Sequence, residues 1–346
     1  MNSAPSERAR LAALLGALED PARAAALPPD DPLLTAVARH HRLTPLLSIT
    51  CGNRLAPPLA EAFRRDRLVT AARNLLLEQV AAECLAAFAA AGVPTIVLKG
   101  LEYATRLYDG AAGARPTADV DLLVPGEKRR AAFGVLDRLG FEPRAAAPGF
   151  DEPDYHEVAW TRSGVEVDLH LALAPLVRCR IDYAAVWSWA EQFQVRGTET
   201  RVLSRPHAAV FQSLHMAIDH FDVPAIALVD LTRLLAEPST VADAEATART
   251  WRCAAPFATA RALAEAMLGQ RASGRTPAPS LMARRVVSRY GGLTPLSRAE
   301  QLMRKFGHFD TVSDAIGYFA VQSRRNLRER LERRVRKRSA RARLSL

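Results

Sequence analysis

The chain has 346 residues, 49% of them hydrophobic, which is enough for one large domain or for two to three smaller ones with full cores. No run of about 18 apolar residues occurs, so we expect no membrane-spanning helix. The net charge is +10, but residues 324–346 alone hold eleven Lys or Arg and two Glu, a net of +9. The nearly neutral remainder argues against a core that is a dedicated nucleic-acid binder.

The N-terminal residues and the cysteines indicate the cellular compartment. Residues 1–10 carry charges without a following apolar stretch, so no secretory signal is expected. The cysteines are scattered, without the spacing of a metal or redox site, and fit a reducing environment. A cytoplasmic location is therefore the expectation. The cysteines are Cys51, Cys84, Cys179 and Cys253.

The first 92 residues predict helices. Residues 1–32 are rich in Ala and Pro, and we expect a flexible N-terminal segment with one helix at 6–18. Residues 33–92 form an N-terminal helical region. Within it, residues 57–91 predict one long or broken helix of good helix formers, which Gly92 ends.

A short buried strand is predicted at residues 95–98, and Lys99 and Gly100 follow it before a helix at 101–108. A strand that ends in glycine and opens a helix presents free backbone N–H groups, which favour phosphate. Lys99 adds a point charge. The alternative is a surface lysine before a loop glycine.

Asp119 and Asp121 stand two apart at the start of an apolar strand. Because a strand repeats every two residues, their side chains project from the same face, with Cα atoms roughly 6.5 Å apart. Paired carboxylates beside an apolar strand are costly unless a cation neutralises them, and hard oxygen ligands suit Mg²⁺ or Mn²⁺. We expect them near a sheet edge, where a cleft can open. The alternative is an Asp pair that caps a strand end in solvent.

A third acid lies on a later strand. Strict alternation at residues 164–170 places Glu166, Asp168 and His170 on one face. Residues 156–161 predict the hairpin partner of this strand. The alternative is an amphipathic strand whose polar face is solvated.

These elements predict an α+β fold, with a small mixed β-sheet core at residues 93–172 between helical regions. The order is strand, helix, strand, helix, strand, strand, and a short exit at 140–143 may pair with the sheet. Arg115 lies in a loop before the aspartates. It could reach a phosphate or neutralise the aspartates, and we favour the second role.

Residues 173–270 predict a second, all-helical region. A helix at 208–220 carries His215, and Asp230 falls in the next helix. We expect this region to close over a sugar or base; polar groups satisfied at a helix–helix contact are the alternative. Residues 271–323 predict a linker with short helices. In the basic tail, 324–346, apolar residues recur every four positions and predict a narrow apolar stripe on a cationic helix. Such a helix could contact an anionic membrane or nucleic acid. The alternative is a solvated tail.

The order of Lys-Gly, Asp-x-Asp and a lone acid on a later strand resembles the nucleotidyltransferase superfamily built like DNA polymerase β. More closely, residues 33–240 are similar to the bacterial uncharacterised nucleotidyltransferase family. The superfamily usually has Gly-Ser or Gly-Gly where Lys99-Gly100 stands, and Asp168 stands where the close family commonly has Glu. The matching segments are Leu98-Lys99-Gly100, Arg115-Pro116-x-x-Asp119-Val120-Asp121-Leu122-Leu123-Val124, Val167-Asp168-Leu169-His170 and Ala227-Leu228-Val229-Asp230-Leu231.

The resemblance implies metal-dependent transfer of a nucleoside monophosphate from an NTP to a hydroxyl or phosphate acceptor, with release of pyrophosphate. Asp119, Asp121 and Asp168 are then the catalytic residues and the ligands of Mg²⁺ or Mn²⁺. The residues expected to bind nucleotide or phosphate are Lys99, Gly100 and Arg115. The candidate accessory residues are Glu166, His170, His215 and Asp230.

A non-catalytic module that binds a nucleotide or a protein is the alternative function. In that case the basic tail could act as a tether to a membrane or to RNA. The sequence chooses neither the NTP nor the acceptor.

Overall fold

The computed structural model describes residues 6–144, 156–175, 179–269, 280–306, 309–311, 313–320 and 323–324. These residues form a seven-stranded mixed sheet with helices around it. The strands are β1 (Ile96–Val97), β2 (Val120–Leu123), β3 (Glu142–Pro143), β4 (Glu157–Arg162), β5 (Val165–His170), β6 (Glu191–Val195) and β7 (Thr198–Val202). The helices are α1 (Glu7–Glu19), α2 (Pro32–His40), α3 (Thr44–Cys51), α4 (Pro57–Ala90), α5 (Leu101–Arg106), α6 (Arg129–Arg138), α7 (Tyr183–Ser188), α8 (Arg205–Ile218), α9 (Ile226–Leu234), α10 (Pro238–Thr250), α11 (Ala254–Leu268), α12 (Leu281–Ser288) and α13 (Arg298–Phe306). Apart from Arg324, the predicted basic tail lies outside the described residues, as do 271–279 of the predicted linker.

The sheet confirms the predicted α+β class and the predicted order of its first elements. The strand order is β3-β4-β5-β2-β1-β7-β6. β2 pairs in parallel with β5 and antiparallel with β1, and the exit strand β3 pairs with β4. β2 is thus the central strand, so the aspartates lie at the end of an inner strand rather than at an outer edge of the sheet.

The prediction that residues 173–270 are all helical is wrong at β6 and β7. Phe193 and Val195 alternate with polar residues, which is the two-residue period of a strand. Arg196 and Gly197 have φ values of 49° and 81°, as the favoured two-residue hairpin turn requires. β7 then pairs in parallel with β1, so the sheet continues past the predicted core.

The helix predicted at residues 6–18 is present as α1 (Glu7–Glu19), but the expectation that the segment around it is flexible is wrong there. Leu11, Leu14 and Leu15 are fully buried, and their spacing puts them on one face of the helix. The Ser6 hydroxyl caps this helix by accepting a hydrogen bond of 3.2 Å from a backbone N–H. Helix α1 packs against α2, α3 and α11, so these residues belong to the folded core.

The described residues form two large hydrophobic cores, and the two ends of α4 contribute to different ones. One joins α1–α3 with α8–α11, and the other lies between the sheet, α4 and α6. The predicted long helix is continuous over its 34 residues; Phe63 near one end is in the first core and Phe88 near the other is in the second. All four cysteines are buried and unpaired. Among the described helices, none has the length and apolar character needed to cross a membrane.

Candidate active site

Three carboxylates meet at the end of the central strand. Asp119 directly precedes β2, and Asp121 within β2 lies in register with Asp168 of β5. One oxygen from each can be chosen so that all three lie within 4.8 Å of one another. Asp121 is 2% exposed, and the other two are half-buried. The two-residue period and the parallel pairing of β2 with β5 together produce this cluster, which we call the acid triad.

Asp121 has its own counter-ions. Lys99 Nζ donates to both of its carboxylate oxygens, at 2.9 and 3.0 Å, and His170 Nε2 lies 2.9 Å from Oδ1. Burial opposes the ionisation of Asp121, but Lys99 and His170 outweigh it and hold its pKa below the usual range. Burial likewise opposes the charges of the two bases, yet contact with Asp121 raises the pKa of both Lys99 and His170.

For Asp119 and Asp168, the nearby cations do not outweigh burial and the neighbouring carboxylates. Burial, followed by the charge of Asp121, raises the pKa of Asp119. Burial and the other two aspartates raise the pKa of Asp168 to about 7. In the described part of the chain, neither carboxylate accepts a hydrogen bond. Crowded oxygen donors with too little counter-charge fit a hard divalent cation, so the acid triad is suited to hold one.

Gly100 allows close approach behind the acid triad. Its φ of +73° lies in the left-handed region that favours glycine. A Cβ at this position would lie 3.0 Å from Thr117 Cγ2 and 3.8 Å from Asp121 Oδ2. Any larger residue would therefore push against the segment that carries Asp119. This packing accounts for the Gly that follows Lys99 in the sequence.

Arg115 does not contact the aspartates that it was predicted to neutralise. Its Nη2 and Nε donate to Oδ2 of Asp230 at 2.9 and 3.1 Å, and Tyr108 Oη donates to Oδ1 at 2.7 Å. Arg115 is 8% exposed and Asp230 is fully buried. The carbonyl of Arg115 also accepts a hydrogen bond of 2.9 Å from Asn74 Nδ2. The ion pair therefore joins α9 to the loop that leads into the acid triad.

The remaining accessory candidates divide into two groups. His170 contacts Asp121, and His215 lines the pocket, where its Nδ1 lies 3.6 Å from Asp219 Oδ2. Burial and the nearby Lys99 lower the pKa of His215. Glu166 is on the same strand face as Asp168 but takes no part in the acid triad, and its carboxylate pairs with Arg144 at 2.8 Å.

A pocket opens beside the acid triad, and its walls come from distant parts of the chain. The sheet core supplies Lys99, Gly100, Asp119 and Asp121, while α8 and the loop at 219–225 supply the opposite wall. Four polar or charged residues of the pocket walls are absent from the site predicted by the sequence. They are Arg42, from the turn between α2 and α3, Gln212, Asp219 and Asp222. No local motif marks these positions, because only tertiary contacts bring them to the pocket.

Comparison with known protein families identifies the class of protein to which this chain belongs. Residues 28–269 match the family described as "Uncharacterised nucleotidyltransferase". The chain belongs to this family, which confirms the predicted resemblance.

Two solved structures show some similarity. One is the solution structure of antibiotic-resistance factor ANT(2'')-Ia, with 16% identity and a TM-score of 0.38, over 51% of this chain and 93% of that chain. The other is the crystal structure of an antigenic nucleotidyltransferase-like protein from Paracoccidioides brasiliensis, with 14% identity and a TM-score of 0.31, over 46% of this chain and 75% of that chain. No curated protein sequence matches the chain significantly.

Proposed function

We propose that the protein transfers a nucleoside monophosphate from an NTP to a hydroxyl or phosphate acceptor and releases pyrophosphate. The observation that carries this proposal is the acid triad, three carboxylates within 4.8 Å of one another beside a pocket, in a chain of a nucleotidyltransferase family. In the reaction an acceptor oxygen forms a bond to the α-phosphorus. The bond from that phosphorus to the bridging oxygen of pyrophosphate breaks.

Asp119, Asp121 and Asp168 would hold Mg²⁺ or Mn²⁺. Their fit rests on the half-buried oxygens of Asp119 and Asp168, which accept no hydrogen bond from the part of the chain that the structure describes. When bound, a divalent ion at such a site neutralises phosphate charge and lowers the pKa of a hydroxyl group.

The chain's own residues have separate tasks in this proposal. His170 fixes the orientation of Asp121 through its 2.9 Å contact. Asp168 lies in register with the pocket residue Asp121 on the neighbouring strand, and its carboxylate accepts no hydrogen bond from the described residues, so it can receive the acceptor's proton. Lys99 supplies a positive charge next to the place where negative charge develops on the phosphate. Gly100, which has no side chain, leaves room for the backbone to approach that phosphate. Arg115 and Asp230 hold the loop before Asp119.

Thermal unfolding with each of the four NTPs tests the proposal, with Mg²⁺ or Mn²⁺ and with EDTA. Asp168→Asn is the test variant, and Glu166→Gln on the same strand face is its matched control. We expect one NTP to raise the melting temperature of the wild type and the control, but only with metal, since a ligand stabilises the state that binds it. The shift should be lost in Asp168→Asn. Stabilisation by NTP that survives this substitution would contradict the assigned site.

Transfer itself is tested with the NTP found in this way, labelled at the α-phosphate, and a panel of hydroxyl and phosphate acceptors. Label in an acceptor together with equal release of pyrophosphate supports the enzyme. The contact between Lys99 and Asp121 favours the alternative, a nucleotide-binding module without catalysis, because it already neutralises one acid. That function predicts NTP binding, but no release of pyrophosphate from the NTP with any acceptor in the panel. Deletion of residues 325–346 tests the tether: binding to anionic vesicles or RNA should fall while transfer is unchanged.

A further inference from the structure

Three cations line the pocket, and two of them are already paired. They are Arg42, Lys99 and Arg115. Lys99 is bound to Asp121, and Arg115 is bound to Asp230. The guanidinium of Arg42 makes neither a hydrogen bond nor an ion pair within the residues that the structure describes. Among the pocket's cations it is therefore the one whose donors are available to a ligand.

The backbone holds Arg42 firmly against the pocket. Its φ is 56°, a left-handed conformation that is uncommon for residues other than glycine. The neighbouring His41 is buried and fixes this turn to the pocket wall that lies across from the acid triad. Its Nδ1 accepts a hydrogen bond of 3.2 Å from the N–H of Ala225, and its carbonyl accepts one of 3.2 Å from the N–H of Ile226. An arginine kept on a strained, anchored turn points to a role for its side chain.

The charges around Arg42 come from the acid triad and from the Arg115 pair. Although solvent reaches the side chain, the pocket walls and Arg115 lower the pKa of Arg42, and Asp119 opposes them. Its guanidinium therefore lies in the electric field of the site. A guanidinium presents a planar fork of donors that matches two phosphate oxygens at once.

We propose that Arg42 binds the polyphosphate tail of the nucleotide donor. The proposal rests on the function proposed above and adds a residue outside the motifs that carried the family resemblance. A triphosphate brings several negative charges towards an acid triad. With Lys99 and Arg115 engaged by carboxylates, Arg42 supplies the uncommitted positive charge on the other side of the pocket.

Isothermal titration of the full chain tests the assignment. The probes are ATP, GTP, CTP, UTP, inorganic tripolyphosphate and the four nucleoside monophosphates, each with Mg²⁺. Arg42→Gln is the test variant. Arg196→Gln is the matched control, because Arg196 is also exposed and also has a positive φ, 49°, in the β6–β7 turn.

We expect Arg42→Gln to bind the tightest triphosphate probe about tenfold to a hundredfold more weakly, as loss of a charge-assisted hydrogen bond implies. Monophosphate affinity should change less than threefold, and Arg196→Gln should match the wild type. Arg42→Lys should fall between Arg42→Gln and the wild type, since it keeps the charge but loses the fork. Melting curves without ligand should be the same for all variants, which separates lost binding from lost folding.

Equal triphosphate affinity in wild type and Arg42→Gln would overturn the role of Arg42 and leave the proposed transfer intact. Equal weakening of monophosphate and triphosphate binding would also overturn it, because the effect would not belong to the tail. If the wild type binds no triphosphate probe, the proposed function fails together with this inference.

Discussion

Replacing Asp230 with Asn should lower the free energy of unfolding by about 3–5 kcal/mol, because it leaves a buried charge without its partner. Asp230 is fully buried, and Arg115 is 8% exposed. The substitution removes the negative charge but keeps an oxygen that can accept the hydrogen bond from Tyr108 Oη. The loss therefore reports the uncompensated guanidinium rather than a change of shape.

Urea unfolding followed by tryptophan fluorescence measures this loss from the midpoint and slope of the transition. Glu61→Gln is the control, since Glu61 and Arg64 form a pair whose side chains are 50% and 55% exposed. Such a surface pair is worth at most about 1 kcal/mol. The double variant Arg115→Met/Asp230→Asn should be more stable than the sum of the single losses predicts. A loss for Asp230→Asn no larger than that of the control would refute the reasoning.

Three further predictions concern stability and reactivity. Burial lowers the pKa of His41 from 6.5 to about 4, so the unfolded state binds more protons than the folded state between these pH values. The free energy of unfolding should therefore fall by up to roughly 3 kcal/mol as the pH drops through this interval. Urea unfolding of His41→Asn should show a smaller fall, and a fall equal to that of the wild type would contradict this prediction. Gly100→Ala should lower the free energy of unfolding by about 1–3 kcal/mol, because the new Cβ meets Thr117. The control Gly197→Ala should lower it less, since Gly197 also has a positive φ but a Cβ there would have nothing within 4 Å. Equal losses for the two variants would contradict the role of the Thr117 contact. Burial raises the pKa of Cys84 to about 12, so mass spectrometry should find it unmodified by iodoacetamide until the chain is unfolded.

Local sequence rules determine which strand face each acid of the acid triad occupies. Asp119 and Asp121 share a face because strands repeat every two residues, and a hairpin with a two-residue turn sets the register of Asp168. What the sequence left open was the pairing of β2 with β5, a contact between strands far apart in the chain. Once that pairing forms in the observed register, it brings the three carboxylates together.

Some errors came from patterns that were readable, and others from contacts that no local pattern records. The alternation in β6 has the period of a strand although its neighbours are helical. The leucine stripe of α1, a helix that the sequence did predict, has the spacing of a buried face although it lies in an Ala- and Pro-rich segment. The partner of Arg115 is different in kind, because Asp230 lies 115 residues away along the chain. Arg42 likewise reaches the pocket only because His41 anchors its turn to α9 and the residue before it.

The burial of α1 has a consequence for where this chain can be shortened. The family match starts at residue 28, after α1 has ended at Glu19. A fragment cut at that position would uncover the apolar faces of α3 and α11 that Leu11, Leu14 and Leu15 cover. Apolar faces exposed in this way favour self-association. A fragment trimmed to the family limits should therefore aggregate, whereas one that begins before Ser6 should remain monodisperse.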